Sequence, residues 1–156
     1  MGGEGVIDLR EAILGRQRPG LTVGVLSGLV VGVSLLLGAL YQGIPAYGPE
    51  FFGILVPLAL FGLIYDLGLG PRAEGANHWR NTVVYWTLAY PVVRVIYDLG
   101  LYLGAAARGS GEPLSTAFPH YAGPLPFLTW AVFQATFGSA YGIGFLILYG
   151  RLRKRN

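Results

Sequence analysis

The sequence has no cysteine, and this absence excludes disulfide frameworks, thiolate metal sites and cysteine nucleophiles. Charged residues are also scarce, because Asp, Glu, Lys and Arg together make up 12% of the 156 residues. A charged fraction this low argues against a soluble globular domain. Of the 11 basic residues only Lys154 is a lysine, and this bias, with abundant Gly, Ala, Val and Leu, indicates a GC-rich prokaryotic genome.

Histidine is rare as well. The two histidines, His78 and His120, have no spacing that would place two metal ligands on one helix face. We therefore expect no metal, no haem or other cofactor and no catalytic residues, and we interpret each histidine as solvent-facing or interfacial. The net charge of +3 arises from basic residues that flank apolar runs, so we expect no nucleic-acid partner.

Four apolar runs are long enough to cross a lipid bilayer, which takes about 20 residues. These runs cover 21–41, 51–69, 82–103 and 125–149. They predict an all-α integral membrane protein in which four transmembrane helices form one bundle over residues 21–150. A short basic tail, 151–156, follows the bundle, and the lipid bilayer is its first expected partner.

Residues 1–20 precede the bundle as a separate segment. Within it, Val6, Leu9 and Ile13 fall on one helical face, which predicts a short interfacial amphipathic helix over 5–15. The segment contains acidic residues before the first apolar run, unlike a cleavable signal peptide. We expect the first run to be retained as a signal anchor.

Basic residues are distributed unevenly between the two sides of the membrane. The first segment has three arginines, the loop 70–81 has Arg72 and Arg80, and the tail has four basic residues. The loops on the other side contain only Arg108. The positive-inside rule therefore predicts a multi-pass protein of the prokaryotic plasma membrane with both termini in the cytoplasm.

Three glycines of the first span, Gly24, Gly28 and Gly32, are spaced four residues apart and share one helix face. Such a face lets another helix backbone approach closely, so we predict a helix-packing face here. The sequence leaves its partner open between the fourth span and a second copy of the chain.

The hexapeptide IYDLGL occurs twice, at 64–69 and at 96–101. The two copies lie in consecutive, antiparallel spans, so Asp66 and Asp98 belong to opposite membrane interfaces and cannot form one paired-carboxylate site. A carboxylate near a helix carboxyl terminus opposes the helix dipole and calls for a cation. For Asp66 we predict an inner-interface ion pair with Arg72 and Arg80.

Arg94 lies within the third span, where an arginine costs about 2.5–3.5 kcal/mol unless it pairs or reaches the headgroups. Asp98 lies one helical turn away on the same face. Folding the second span against the third brings Glu50 to the same level. We therefore predict an intramembrane charge cluster of Arg94, Asp98 and Glu50. This cluster is either a functional site or an ion network that only fixes the register of the helices. A further alternative is that Arg94 snorkels to the headgroups.

Three functions are compatible with this sequence. The first is a non-catalytic component that acts as a homo-oligomer or as an accessory subunit of a membrane complex. The second is a small multimeric transporter or channel that binds an ion, a proton or an anionic solute through the Arg94 cluster. The third is a membrane enzyme for a lipid or an isoprenoid, with Asp66, Asp98 or His120 as acid or base; scattered acidic residues place it last.

Overall fold

The computed structural model describes residues 18–43, 48–72, 77–109 and 112–154. Most of these residues are helical. The long helices are α1 (Pro19–Tyr41), α2 (Gly48–Gly68), α3 (His78–Ala107) and α5 (Pro124–Arg153), with a short α4 (Leu114–Ala117) before α5. Single 3₁₀ turns cover Gly70–Arg72 and Pro119–Tyr121. The predicted interfacial helix at 5–15 lies outside the described residues.

Each of the four long helices is long and apolar enough to cross a membrane, which confirms the predicted all-α, four-span fold. The chain is a multi-pass membrane protein. The helices extend beyond the predicted spans, most clearly in α3, which begins at His78 and continues to Ala107. The added residues of α3 are 78–81, which are mostly polar, and 104–107, which have no large apolar side chain, so a hydropathy pattern does not mark them as helix.

Helices α1 and α2 form an antiparallel pair with almost no side chain between their backbones. A Cβ atom added to Gly28 would lie 2.7 Å from the Cα of Leu55, and one added to Gly24 would clash with the Leu58 carbonyl. On α2, Gly62 packs in the same way against Gly20. The predicted packing face is therefore a contact with the second span, rather than with either of the two partners that the sequence left open.

Helices α3 and α5 form a second close pair. Gly138 packs on the backbone of Trp86, and Gly142 packs beside Val83, where an added Cβ would lie 3.1 Å from its Cα. Between the same helices, the hydroxyl groups of Thr87 and Ser139 are 2.8 Å apart and share a hydrogen bond. Small residues let the helices approach, and partly buried hydroxyls then find partners across the interface.

Aromatic rings fill the space between the two pairs. The ring of Tyr65 lies 4.9 Å from that of Phe145 and 5.2 Å from that of Tyr149, and Trp86 lies 4.9 Å from Phe145. The hydroxyl of Tyr85 donates a 2.7 Å hydrogen bond to the Phe61 carbonyl and so ties α3 to α2. The four helices thus form one bundle with a rigid aromatic core.

The bundle has two ends, which we name by their aspartates. The Asp66 end contains Pro19, Gly68, His78 and Arg153, where α1 and α3 begin and α2 and α5 end. The Asp98 end contains the opposite termini of these helices together with α4 and the Pro119–Tyr121 turn.

Candidate ligand site at the Asp98 end

Asp98 is an almost fully buried carboxylate, 1% exposed, on the inward face of α3. Its Oδ1 lies 3.6 Å from Nη2 of Arg94, which precedes it by one turn. Its Oδ2 lies 3.1 Å from Nε2 of His120, in the turn that leads into α5. Each carboxylate oxygen therefore faces a different basic side chain, one from a helix and one from a loop.

His120 is held in place by aromatic neighbours. Its ring stacks on Trp130 of α5 with centroids 4.5 Å apart and planes 4° from parallel, and it also contacts Tyr121 at 4.3 Å. Because Nε2 faces the carboxylate, we assign a proton to this nitrogen. Nδ1 makes no hydrogen bond within the described residues, so it remains available to a ligand.

Arg94 has donor capacity to spare. One guanidinium nitrogen meets Asp98, and the group lies over the Tyr97 ring at 4.8 Å. Its Nε is buried and has no hydrogen-bond partner among the residues that the structure describes. The side chain is 24% exposed, so the guanidinium can reach an acceptor that comes from outside the bundle.

Tyr121 adds a neutral donor to this end. Its buried hydroxyl lies near the Asp98 carboxylate without completing a hydrogen bond of good geometry. Burial, reinforced by the negative charge of Asp98, raises the pKa of Tyr121 to about 12. The phenol is therefore protonated at physiological pH and contributes no negative charge to the site.

A groove of about 680 Å³ opens beside this cluster. Its walls are almost entirely apolar, and among the described residues that line it only His120 is titratable. The other lining residues are Pro119, Leu125, Pro126, Thr129, Trp130 and Phe133. The groove therefore combines an apolar trough along the start of α5 with a polar end at His120.

The structure brings together two members of the predicted cluster, Arg94 and Asp98. The side chain of Glu50 lies outside the described residues, so its membership stays a prediction. His120 is the member that sequence reasoning missed. A signal was present, because the predicted topology placed His120 and Asp98 on the same side of the membrane. The sequence predictions for His120, as a solvent-facing or interfacial residue or as the acid or base of a membrane enzyme, include no pairing with an aspartate.

Asp66 has entirely different neighbours. Its Oδ1 accepts a 2.9 Å hydrogen bond from the Gly20 N–H, and its Oδ2 accepts one of the same length from the Leu21 N–H. These N–H groups belong to the first turn of α1, which has no partner inside its own helix and carries the positive end of the helix dipole. Asp66 therefore fixes the start of α1 against the end of α2.

The predicted ion pair of Asp66 with Arg72 and Arg80 stays a prediction. Arg80 is exposed at the first turn of α3, and the side chain of Arg72 lies outside the described residues. What the structure does show is a role for Asp66 that needs no arginine, because two backbone donors already meet its two oxygens.

Over the described ranges, no group of three or more His, Asp or Glu side chains could hold a metal ion. A carboxylate flanked by arginine and histidine is suited instead to holding a proton or to presenting positive charge to an anion. Comparisons with known proteins give no further guide, since no protein family, curated protein or solved structure matches the chain.

Proposed function

We propose that the protein is a non-catalytic component of the prokaryotic plasma membrane, acting as a homo-oligomer or as an accessory subunit of a membrane complex. One observation carries this proposal: the polar side chains inside the bundle are dispersed, and most of them join two helices. The joined pairs are Asp66 with the start of α1, Tyr65 with Thr82, Tyr85 with Phe61, and Thr87 with Ser139. In a bilayer such bonds serve helix association.

The aromatic core supports a structural role over conduction by a single chain. Tyr65, Trp86 and Phe145 are each at most 1% exposed, and the Phe145 ring contacts both of the others in the half of the bundle nearer the Asp66 end. Close-packed rings of this size exclude water and ions from the bundle centre. A conducting form would therefore need a path between several copies of the chain.

A third small-residue face supports assembly with another helix. Thr136, Ala140 and Gly144 of α5 share the four-residue spacing of the two internal faces, but they are exposed. A Cβ added to Gly144 would meet nothing within 4 Å. This chain uses the same spacing twice to bring helices together, which favours a second copy as the occupant of this face.

The distribution of charge supports the expected orientation. Arg18, Arg80, Arg151, Arg153 and Lys154 all belong to the Asp66 end, and Arg108 belongs to the Asp98 end. We therefore place the Asp66 end and both termini on the cytoplasmic side.

Single-cysteine variants test the assembly, because the chain has no cysteine of its own. We expect Ala140→Cys to form a disulfide-linked dimer in native membranes under oxidation. The matched control is Val84→Cys, exposed at a similar depth on α3, which we expect to stay monomeric. A covalent adduct with a different polypeptide would identify an accessory subunit. Monomers for both variants, together with a monomeric mass in mild detergent, would contradict the proposal.

A second function is favoured by the Asp98 end: transport of an ion, a proton or an anionic solute. Its support is a buried carboxylate between Arg94 and His120, since ionisable groups within spans commonly mark such pathways. Flux into proteoliposomes is the test, with Asp98→Asn as the inactivating change and Asp66→Asn as the control. Equal flux from all three proteins would remove the cluster from any transport role.

A further inference from the structure

We propose that the groove beside His120 binds one anionic lipid, whose acyl chain lies along α5 and whose acidic headgroup pairs with Arg94 and His120. This inference rests on the geometry of the Asp98 end alone. It goes beyond the structural role proposed above and does not depend on it.

The walls of the groove fit an acyl chain. Leu125, Thr129 and Phe133 follow one another at four-residue intervals on α5 and form a continuous strip along the helix. Because α5 crosses the membrane, this strip runs in the direction of the lipid chains. A volume of about 680 Å³ lies within the range of ligand sites, and nearly all of its lining surface is apolar. A small polar solute would gain nothing from these walls.

The polar end fits an acidic headgroup. His120 lines the groove and is bonded through Nε2 to Asp98, so its Nδ1 is the nitrogen left for a ligand. Arg94 reaches the other oxygen of the same carboxylate and keeps a buried Nε without a partner in the described part of the chain. One negative charge is thus opposed by a permanent cation and a titratable one. A phosphodiester would accept hydrogen bonds from the Arg94 guanidinium and, when His120 is an imidazolium, from its Nδ1–H.

The depth of the site agrees with a lipid ligand. Trp130 and Tyr121 flank His120, and such rings prefer the headgroup level of a membrane. Basic pockets between transmembrane helices bind anionic headgroups in other membrane proteins. The groove and its charges therefore meet at the level where a lipid changes from headgroup to chain.

Native mass spectrometry of the delipidated full-length protein tests this inference. Equal concentrations of dioleoylphosphatidylglycerol and dioleoylphosphatidylcholine are added, and the fraction of protein with one bound lipid is measured for each. We expect at least a tenfold preference for the anionic lipid in the first binding event. Arg94→Gln should reduce this preference about tenfold, because it removes the permanent cation. Arg151→Gln, the same charge change at the opposite end, should leave it unaltered.

A variant in the groove separates the contribution of the acyl-chain contact from that of the charged side chains. Thr129→Trp fills the trough at an exposed position and keeps Arg94, Asp98 and His120. We expect it to lose most of the high-affinity lipid binding while its thermal unfolding stays close to that of the wild type. This variant also keeps the inference testable if Arg94→Gln fails to fold.

Three outcomes would overturn the inference. The first is equal binding of the two lipids, and the second is equal loss of binding in Arg94→Gln and Arg151→Gln. The third is displacement of the lipid by millimolar glycerol phosphate, which would show that the site recognises a soluble phosphate group and makes no use of the acyl chain.

Discussion

The two IYDLGL segments have the same six residues and place their aspartates in opposite settings. Asp66 lies two residues before α2 ends at Gly68, where its carboxylate meets the first turn of α1. Asp98 lies nine residues before α3 ends at Ala107, so it remains inside a helix and meets Arg94 and His120. The comparison teaches that the length of the surrounding helix decides whether a carboxylate caps a neighbour or carries a buried charge pair.

The largest effect is expected from Asp66→Ala. This change leaves the buried N–H of Gly20 and the partly buried N–H of Leu21 without acceptors, which costs about 2–4 kcal/mol of unfolding free energy. Unfolding in mixed micelles with increasing dodecyl sulfate measures the loss. Asp66→Asn keeps one acceptor oxygen and should lose about half as much. Equal stability of the alanine variant and the wild type would show that α1 does not need this cap.

The close backbone contact between α1 and α2 brings the start of α1 to Asp66, and its loss is expected to have the next largest effect. Gly24→Val would place a side chain on the Leu58 carbonyl, and overpacking of this kind costs about 1–3 kcal/mol. Gly38→Val in the same helix is the control, because no atom lies within 4 Å of its added Cβ. The same unfolding assay should show little change for Gly38→Val. Similar losses of unfolding free energy for both variants would mean that the helix propensity of valine causes the loss. The contact with α2 would then make no contribution.

A smaller effect is expected from the charge pair at the other end. Arg94 is partly exposed and can turn towards the headgroups, so Asp98→Asn should cost only about 1–2 kcal/mol. A double-mutant cycle with Arg94→Met should give a coupling energy of about 0.5–2 kcal/mol. A second double-mutant cycle, of Asp66→Asn with Arg94→Met, should give a coupling energy near zero, because the two residues lie at opposite ends of the bundle. A coupling near zero in the first cycle would show that the pair does not stabilise the fold.

The smallest change in stability is expected from His120→Phe, which keeps an aromatic ring on Trp130 and removes the bond to Asp98. We expect a loss of about 0.5–1.5 kcal/mol. The sharper readout is amide hydrogen exchange in residues 113–123, which should become faster as this turn detaches from α3. Unchanged exchange would show that ring stacking alone holds the turn. Asp66→Asn should leave exchange in this segment as it is in the wild type.

Much of this fold was predictable, because a bilayer requires long apolar helices and the sequence shows four of them. The link between Arg94 and Asp98 also followed from helical spacing alone. The partner of the Gly24–Gly32 face did not, because the spacing of these glycines does not show which helix brings its backbone to the same depth, here residues 51–58 of α2. The cap on α1 was hidden for a related reason, since unpaired backbone N–H groups leave no mark in a sequence.

The hydrogen bonds from the start of α1 to Asp66 join residues 46 and 45 positions apart, and this separation has a consequence for biogenesis. The ribosome adds about 5–20 residues per second, so the first turn of α1 is made several seconds before its acceptor exists. During that interval water or headgroups can serve these N–H groups, because Asp66 is their acceptor among the described residues. The hairpin of α1 and α2 can thus close only once α2 has been synthesised to its last turn. The first helix can therefore reach its final position only after the second helix is fully inserted and Asp66 is in place.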